Sequence, residues 1–236
     1  MSIERPLKLV VFGASGATGQ WLVRLAVERG HQVTAVMREG SSASVPQGVD
    51  VVRGDPLDAA SVDTAVTGKD VVVTALGLRY RRGHNPFSSI VSPLTLLSQS
   101  VAHMLDGMKR HGVSRISMVS AGGVGDSWKS VAWPLRVVFR MSNIHVDYED
   151  IERAEALLAA SGLDWQAVRP TSLTNGPSTG TRRVDRYAVT MRTAREDVAR
   201  FMLDQIEQPR FDEHTPMISG AVSDPPRLVS DKLLSV

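Results

Sequence analysis

The string Gly13-Ala14-Ser15-Gly16-Ala17-Thr18-Gly19 packs three glycines and two hydroxyls into seven residues. That pattern suits a loop that cradles an anion with backbone N–H groups. One glycine permits a sharp turn, a second lets the main chain approach a diphosphate closely, and a third lets a helix pack on a strand. A helix starting there adds roughly half a positive charge at its N-terminus. Ser15 and Thr18 add hydroxyl donors. Glycine strings are common, so context decides. This one follows the apolar run Leu7–Phe12 and opens an amphipathic segment, the setting a dinucleotide loop needs.

About twenty residues further on, an acid would accept bonds from the ribose 2′-hydroxyl of NAD. Here the second apolar run ends Val36-Met37-Arg38, with no acid at its tip. Arg38 is the residue type that clasps a 2′-phosphate. The expected cofactor is therefore NADP(H); Glu39 follows, so NAD(H) stays open. Gly54-Asp55 ends the third run, and Asp55 suits the adenine amino group. Leu76-Gly77 after the fourth run lets backbone pass close to the ribose and pyrophosphate.

The elements that position these residues follow from hydrophobic pattern. Leu7–Phe12, Gln32–Met37, Val49–Arg53, Asp70–Ala75, Arg115–Val119 and Asp164–Arg169 read as buried strands, with Thr215–Ser219 as one more. Gly19–Arg29, Asp58–Val66, a long helix ending at Gly112, Val146–Ala160 and Arg195–Ile206 read as helices. Ser92 and Pro93 look like the cap and first residue of the long one. The alternation predicts an α/β fold: a single-domain Rossmann-type doubly wound parallel sheet over residues 7–220, then a C-terminal tail, 221–236. The loops Gly77–Val91, Ala121–Ser130 and Thr171–Arg183 are long enough to be functional.

With 236 residues, 42% of them hydrophobic, the chain can bury a full core. It has no cysteine, which removes disulfides and thiolate chemistry. No signal peptide and no membrane span are expected, and the expected location is cytoplasmic. The net charge of +2 does not favour nucleic acid. The one dense basic cluster, Arg79, Arg81 and Arg82, is either a solvated loop or a contact to an anionic ligand. The six histidines form no metal-binding set. Ser120 lacks the elbow of a serine hydrolase.

With these motifs in hand, the chain resembles the atypical short-chain dehydrogenase/reductases, in the NmrA-like NAD(P)H-binding group that includes the biliverdin and flavin reductases. The matching residues are the glycine loop, Arg38, Gly54-Asp55, Ala75-Leu76-Gly77, His111-Gly112-Val113, Ser120, Ser161-Gly162-Leu163-Asp164-Trp165, Val168-Arg169-Pro170 and Arg195 to Leu203. They cover residues 7–220. The resemblance implies that Pro170, Thr171, Ser172 and Leu173 touch the nicotinamide end, and that Ser120 is the active-site serine. The chain departs from the biliverdin-reducing members, which carry histidines where Ser172 and, nearby, Ile151 stand.

Ordinary short-chain dehydrogenases tune a tyrosine with a lysine four residues later. Tyr80, Tyr148 and Tyr187 are followed at that spacing by His84, Glu152 and Met191. A conjugated acceptor that collects its proton from water needs no such pair. The expected function is thus an NADPH-dependent reductase of a flavin, quinone or similar planar acceptor, with Ser120 orienting it or relaying a proton. The alternative is a non-catalytic NADP(H)-binding sensor with a protein partner. Val131–Phe139, with Trp128 and Trp133, is either a wall for a flat substrate or a packed helix. Met118, Met141 and Met191 read as core filling.

Overall fold

The computed structural model describes residues 5–81, 87–188 and 190–221. Arg82, His84 and the tail from residue 222 lie outside them.

Among the described residues, ten strands and six α-helices follow one another. They are β1 Lys8–Phe12, α1 Ala17–Glu28, β2 Gln32–Met37, β3 Asp50–Arg53, α2 Ala59–Val66 and β4 Val71–Thr74. Then come α3 Leu96–His111, β5 Arg115–Val119, α4 Trp133–Met141, α5 Ile144–Ala160 and β6 Asp164–Pro170. The last are β7 Ser172–Thr174, β8 Thr181–Arg183, β9 Arg192–Ala194, α6 Arg195–Ile206 and β10 Met217–Gly220. The main sheet has the order β3-β2-β1-β4-β5-β6-β10-β8. Its pairs are parallel except β10 with β8. A small parallel pair, β7 with β9, stands apart.

Alternation along β1 shows how the sheet is buried on both faces. Leu9 and Val11 join one core with Leu22, Val23 and Ala26 of α1 and Val198, Met202 and Leu203 of α6. Val10 and Phe12 join the other, with α2, Met104 and Met108 of α3, and Ala154 and Leu158 of α5. Helices on both faces make the doubly wound α/β Rossmann arrangement that the alternating pattern predicts. The strand order reverses between β1 and β4, so a crevice opens beyond their carboxyl ends.

The structure corrects three local expectations. The edge strand β8 is antiparallel, so the sheet is not wholly parallel. The short strands β7 and β9 were not foreseen; three residues each carry too little periodicity to read. Ser92 does not cap α3, which starts at Leu96. The Ser92 hydroxyl instead accepts the Arg79 N–H at 2.9 Å. The capping role passes to Asp150, which reaches across from α5. Its carboxylate accepts the Leu97 N–H at 2.8 Å and the Ser98 N–H at 3.2 Å. A tertiary cap of this kind leaves no local sequence signature.

Candidate functional site

β1 ends at Phe12, and the chain turns at Gly13 with φ +77°, a left-handed conformation. A side chain at Gly13 would lie 2.8 Å from the Ala75 carbonyl of the neighbouring strand end. The turn is closed by the Gly16 N–H, which bonds the Gly13 carbonyl at 2.9 Å. At Gly19 the limit is packing: a Cβ would sit 2.1 Å from the Gly13 carbonyl. Gly13 and Gly16 thus make the turn, and Gly19 makes the helix–loop contact. Gly16 caps α1 without a side-chain bond, and no acid stands in the first turn. The positive end of the helix is therefore uncompensated by its own sequence.

A cleft of about 270 Å³ lies at the reversal of strand order. Its floor and walls include Gly13, Ser15, Gly16, Arg38, Gly54, Asp55, Leu76, Gly77 and Arg79. The exposed Arg38 stands at the tip of β2, where the Arg53 guanidinium donates to the Arg38 and Ser41 carbonyls at 3.2 and 3.0 Å. These bonds hold the backbone that presents Arg38. Asp55 accepts the Leu57 N–H on one oxygen at 2.9 Å. A Cβ at Gly77 would meet nothing within 4 Å, so the backbone there faces open space. Arg79, from the basic cluster, also lines the cleft.

Eight of the expected cofactor-binding residues share this cleft: Gly13, Ser15, Gly16, Arg38, Gly54, Asp55, Leu76 and Gly77. Ala17, Thr18 and Gly19 do not line it; they form the first turn of α1 behind the loop, with Thr18 and Gly19 buried. Ser120, Pro170, Thr171, Ser172 and Leu173 lie elsewhere, at the carboxyl ends of β5 and β6 and in β7. Ser120 is buried, and its hydroxyl donates to Glu155 Oε1 at 2.6 Å. Glu155 in turn receives two bonds from the Arg169 guanidinium, at 3.0 and 2.6 Å. Burial alone would lower the Arg169 pKa; the bonds to Glu155 and Asp126 outweigh it, and the net direction is up. Thr171 bonds the Thr193 hydroxyl at 2.9 Å, and Ser172 the Tyr187 hydroxyl at 3.0 Å. Sequence reasoning missed Glu155, because an acid on an amphipathic helix looks like a solvated residue.

The tyrosines are committed as well. The Tyr148 hydroxyl donates to the Gly122 carbonyl at 2.7 Å. Burial pushes its pKa well above the ordinary phenol value. Its ring packs edge-on against Trp128 and Phe139, with centroids at 6.4 and 5.6 Å. α4 is divided between the two expected roles. Phe139 is buried in this aromatic cluster, while Trp133 and Met141 are 75% and 77% exposed. Core filling therefore holds for the buried Met118 and fails for Met141. Among the described residues no cluster of potential ligands could hold a metal, and no helix is long and apolar enough to cross a membrane.

Comparison with known proteins places the chain in a family and a fold. A family described as NAD(P)H-binding matches residues 13–209. An uncharacterized protein of Mycobacterium tuberculosis is 28% identical over 163 residues, 69% of this chain but 14% of that protein. A 3-diazoavenalumate denitrifying reductase from a Streptomyces species is 30% identical over 191 residues, 75% of this chain and 59% of the relative. Among solved structures, ChuY, an anaerobilin reductase from Escherichia coli O157:H7, superposes with a TM-score of 0.74 at 23% identity. That match covers 92% of this chain and 99% of ChuY, and it shows a shared fold.

Proposed function

Since the chain belongs to the NAD(P)H-binding family, we propose that it is an NADPH-dependent reductase of a planar conjugated acceptor, such as a flavin or quinone. The nucleotide half of the cofactor is assigned to the cleft. Backbone N–H groups of the Gly13–Gly19 loop hold the diphosphate, Arg38 reads the 2′-phosphate, and Asp55 meets the adenine. The nicotinamide half is assigned to the region beyond β5 and β6, next to Ser120 and Pro170 to Leu173. The unit that does this is residues 7–220. When bound, NADPH supplies a hydride to the acceptor.

One observation carries the choice of acceptor. Tyr148, which stands on α5, spends its proton on the Gly122 carbonyl and has no lysine to tune it. Ser120 likewise spends its proton on Glu155. The chain thus offers no free acid from these two groups. An acceptor whose reduced form takes its proton from water suits such a site; a simple ketone does not. The Ser120 oxygen keeps a lone pair, which can accept an N–H of the acceptor or of the carboxamide and orient it. Two relatives named as reductases support the class of reaction.

The same two commitments favour a second reading, a sensor that binds NADP(H) without turning it over. One assay separates them. NADPH absorbance is followed with a panel of FMN, quinones and bilins, and binding is measured in parallel by calorimetry. Turnover of any member supports the reductase. Tight binding with no turnover across the panel gives the sensor. Failure to bind either NADPH or NADH sinks both.

A further inference from the structure

We infer that Asp147 and Asp150, one turn apart on α5, are positioning residues for the dinucleotide cleft, holding the wall that lies between β4 and α3. The inference rests on the cleft being the dinucleotide site. That wall has two described parts. Leu76, Gly77 and Arg79 form one, and Ser92, Pro93 and Leu96 form the other. Neither aspartate lines the cleft. Each holds one part from behind.

Asp150 has no exposed surface. Its carboxylate takes the Leu97 and Ser98 N–H groups and the Ser98 hydroxyl. The first turn of α3, with Leu96 on the cleft, is thereby tied to α5. Thr95, the local cap position, makes no side-chain cap bond. Asp147 holds the other part. Its carboxylate faces the Tyr80 hydroxyl, which points to it at 3.5 Å. Tyr80 follows Arg79 in the chain. The two parts are then laced together: the Arg79 N–H bonds the Ser92 hydroxyl at 2.9 Å, and the Val91 N–H bonds the Arg79 carbonyl at 2.8 Å.

Bonds to an ionised acceptor are about twice as strong as neutral ones. Removing the acceptor leaves buried N–H groups without partners, and the backbone must move to find water. The wall would shift with it. The same helix carries Glu155, which holds Ser120. One element therefore sets both the nucleotide wall and the Ser120 end of the proposed site.

The test uses Asp150→Asn, Asp147→Ala and Asp147→Asn. NADPH affinity is measured by calorimetry near neutral pH, well below each melting temperature, with circular dichroism confirming the fold. Asp150→Asn and Asp147→Ala should each weaken NADPH by about 5- to 20-fold, the scale of a displaced supporting shell. Asp147→Asn should recover most of the loss, because its amide oxygen can still accept the Tyr80 hydroxyl. A role confined to stability would lower the melting temperature and leave the affinity of the folded protein unchanged. Affinities within about twofold of the parent for both Asp150→Asn and Asp147→Ala would overturn the inference while the cleft assignment stood. If Asp150→Asn does not fold, the Asp147 pair decides alone. A parent that binds neither NADPH nor NADH removes the cleft assignment and this inference with it.

Discussion

Arg38 is a single exposed side chain at a strand tip, and in the proposed reading it is the group that favours NADPH over NADH. A hydrogen bond to a charged group is worth about 1.5–3 kcal/mol. Arg38→Ala should therefore weaken NADPH by roughly 10- to 100-fold and leave NADH nearly unchanged. Equal losses in calorimetry would show that the 2′-phosphate is read elsewhere. Gly77 gives a second residue-scale test. Its Cβ position is open, so Gly77→Val should fold as well as the parent. The new side chain would stand where the cofactor backbone must pass, and NADPH affinity should fall at least about tenfold, given the close approach such a glycine serves. Unchanged affinity would put the pyrophosphate on another path. At the chemical end, Tyr148→Phe should leave kcat/KM almost unchanged. Ser120→Ala should lower it by less than about 100-fold, because orientation is lost and not an acid. A loss near 10⁴-fold in Tyr148→Phe would restore an ordinary tyrosine acid. That Gly13, Gly16, Arg38 and Gly77 would share one cleft was legible, because glycine and arginine at fixed offsets after a strand carry a mechanism. Glu155 was not: its meaning depends on Arg169, fourteen residues away, and on Ser120, thirty-five away.

Elements were readable where hydrophobic period was long and obscure where a tertiary contact replaced a local signal. The strands of the main sheet from β1 to β6 announce themselves as apolar runs between helices. The start of α3 did not, because its cap comes from α5. A second contact of α5, between Asp147 and the loop after β4, has a pH signature. Burial pushes the Asp147 pKa up to about 6; the Leu78 backbone N–H opposes the rise, and the neighbouring charge of Asp150 adds to it. The groups facing it are Tyr80 from the loop and Asp150 and Tyr148 from its own helix. The native value lies above the unfolded one, so the folded state holds this proton more tightly. Stability tied to Asp147 is then greatest below the unfolded value near 3.8 and declines until the pH passes about 6. Over that window the loss is up to about 3 kcal/mol. Asp147→Asn cannot titrate. Urea melts of the two proteins should show their difference moving in favour of the variant by up to that amount, about 3 kcal/mol, as pH rises. A difference that stays constant with pH would show that Asp147 titrates as an ordinary carboxyl.

At the scale of the whole molecule the cleft lies on the seam where the sheet changes direction. Its lining draws on β1, β2, the turns after β3 and β4, and the start of α3. A ligand there touches both sides of the seam and is bound by the folded chain alone, so its binding free energy adds to the stability of the entire fold. NADPH at a hundred times its dissociation constant should contribute about 2.7 kcal/mol. For a domain of this size each kcal/mol moves the melting temperature by about 2–4 °C, so NADPH should raise it by roughly 5–10 °C. NADH at the same concentration, bound 10- to 100-fold more weakly, should give only about 0.4–1.4 kcal/mol. The two cofactors should therefore separate by roughly 3–9 °C in the same scan. Arg38→Ala should erase that separation by lowering the NADPH curve onto the NADH curve, not by raising the latter. Gly77→Val should flatten both, since the pyrophosphate is common to them. Equal shifts for NADPH and NADH in the parent would mean that the chain does not discriminate at the 2′ position. In that case Glu39, the acid beside Arg38, becomes the residue to change next.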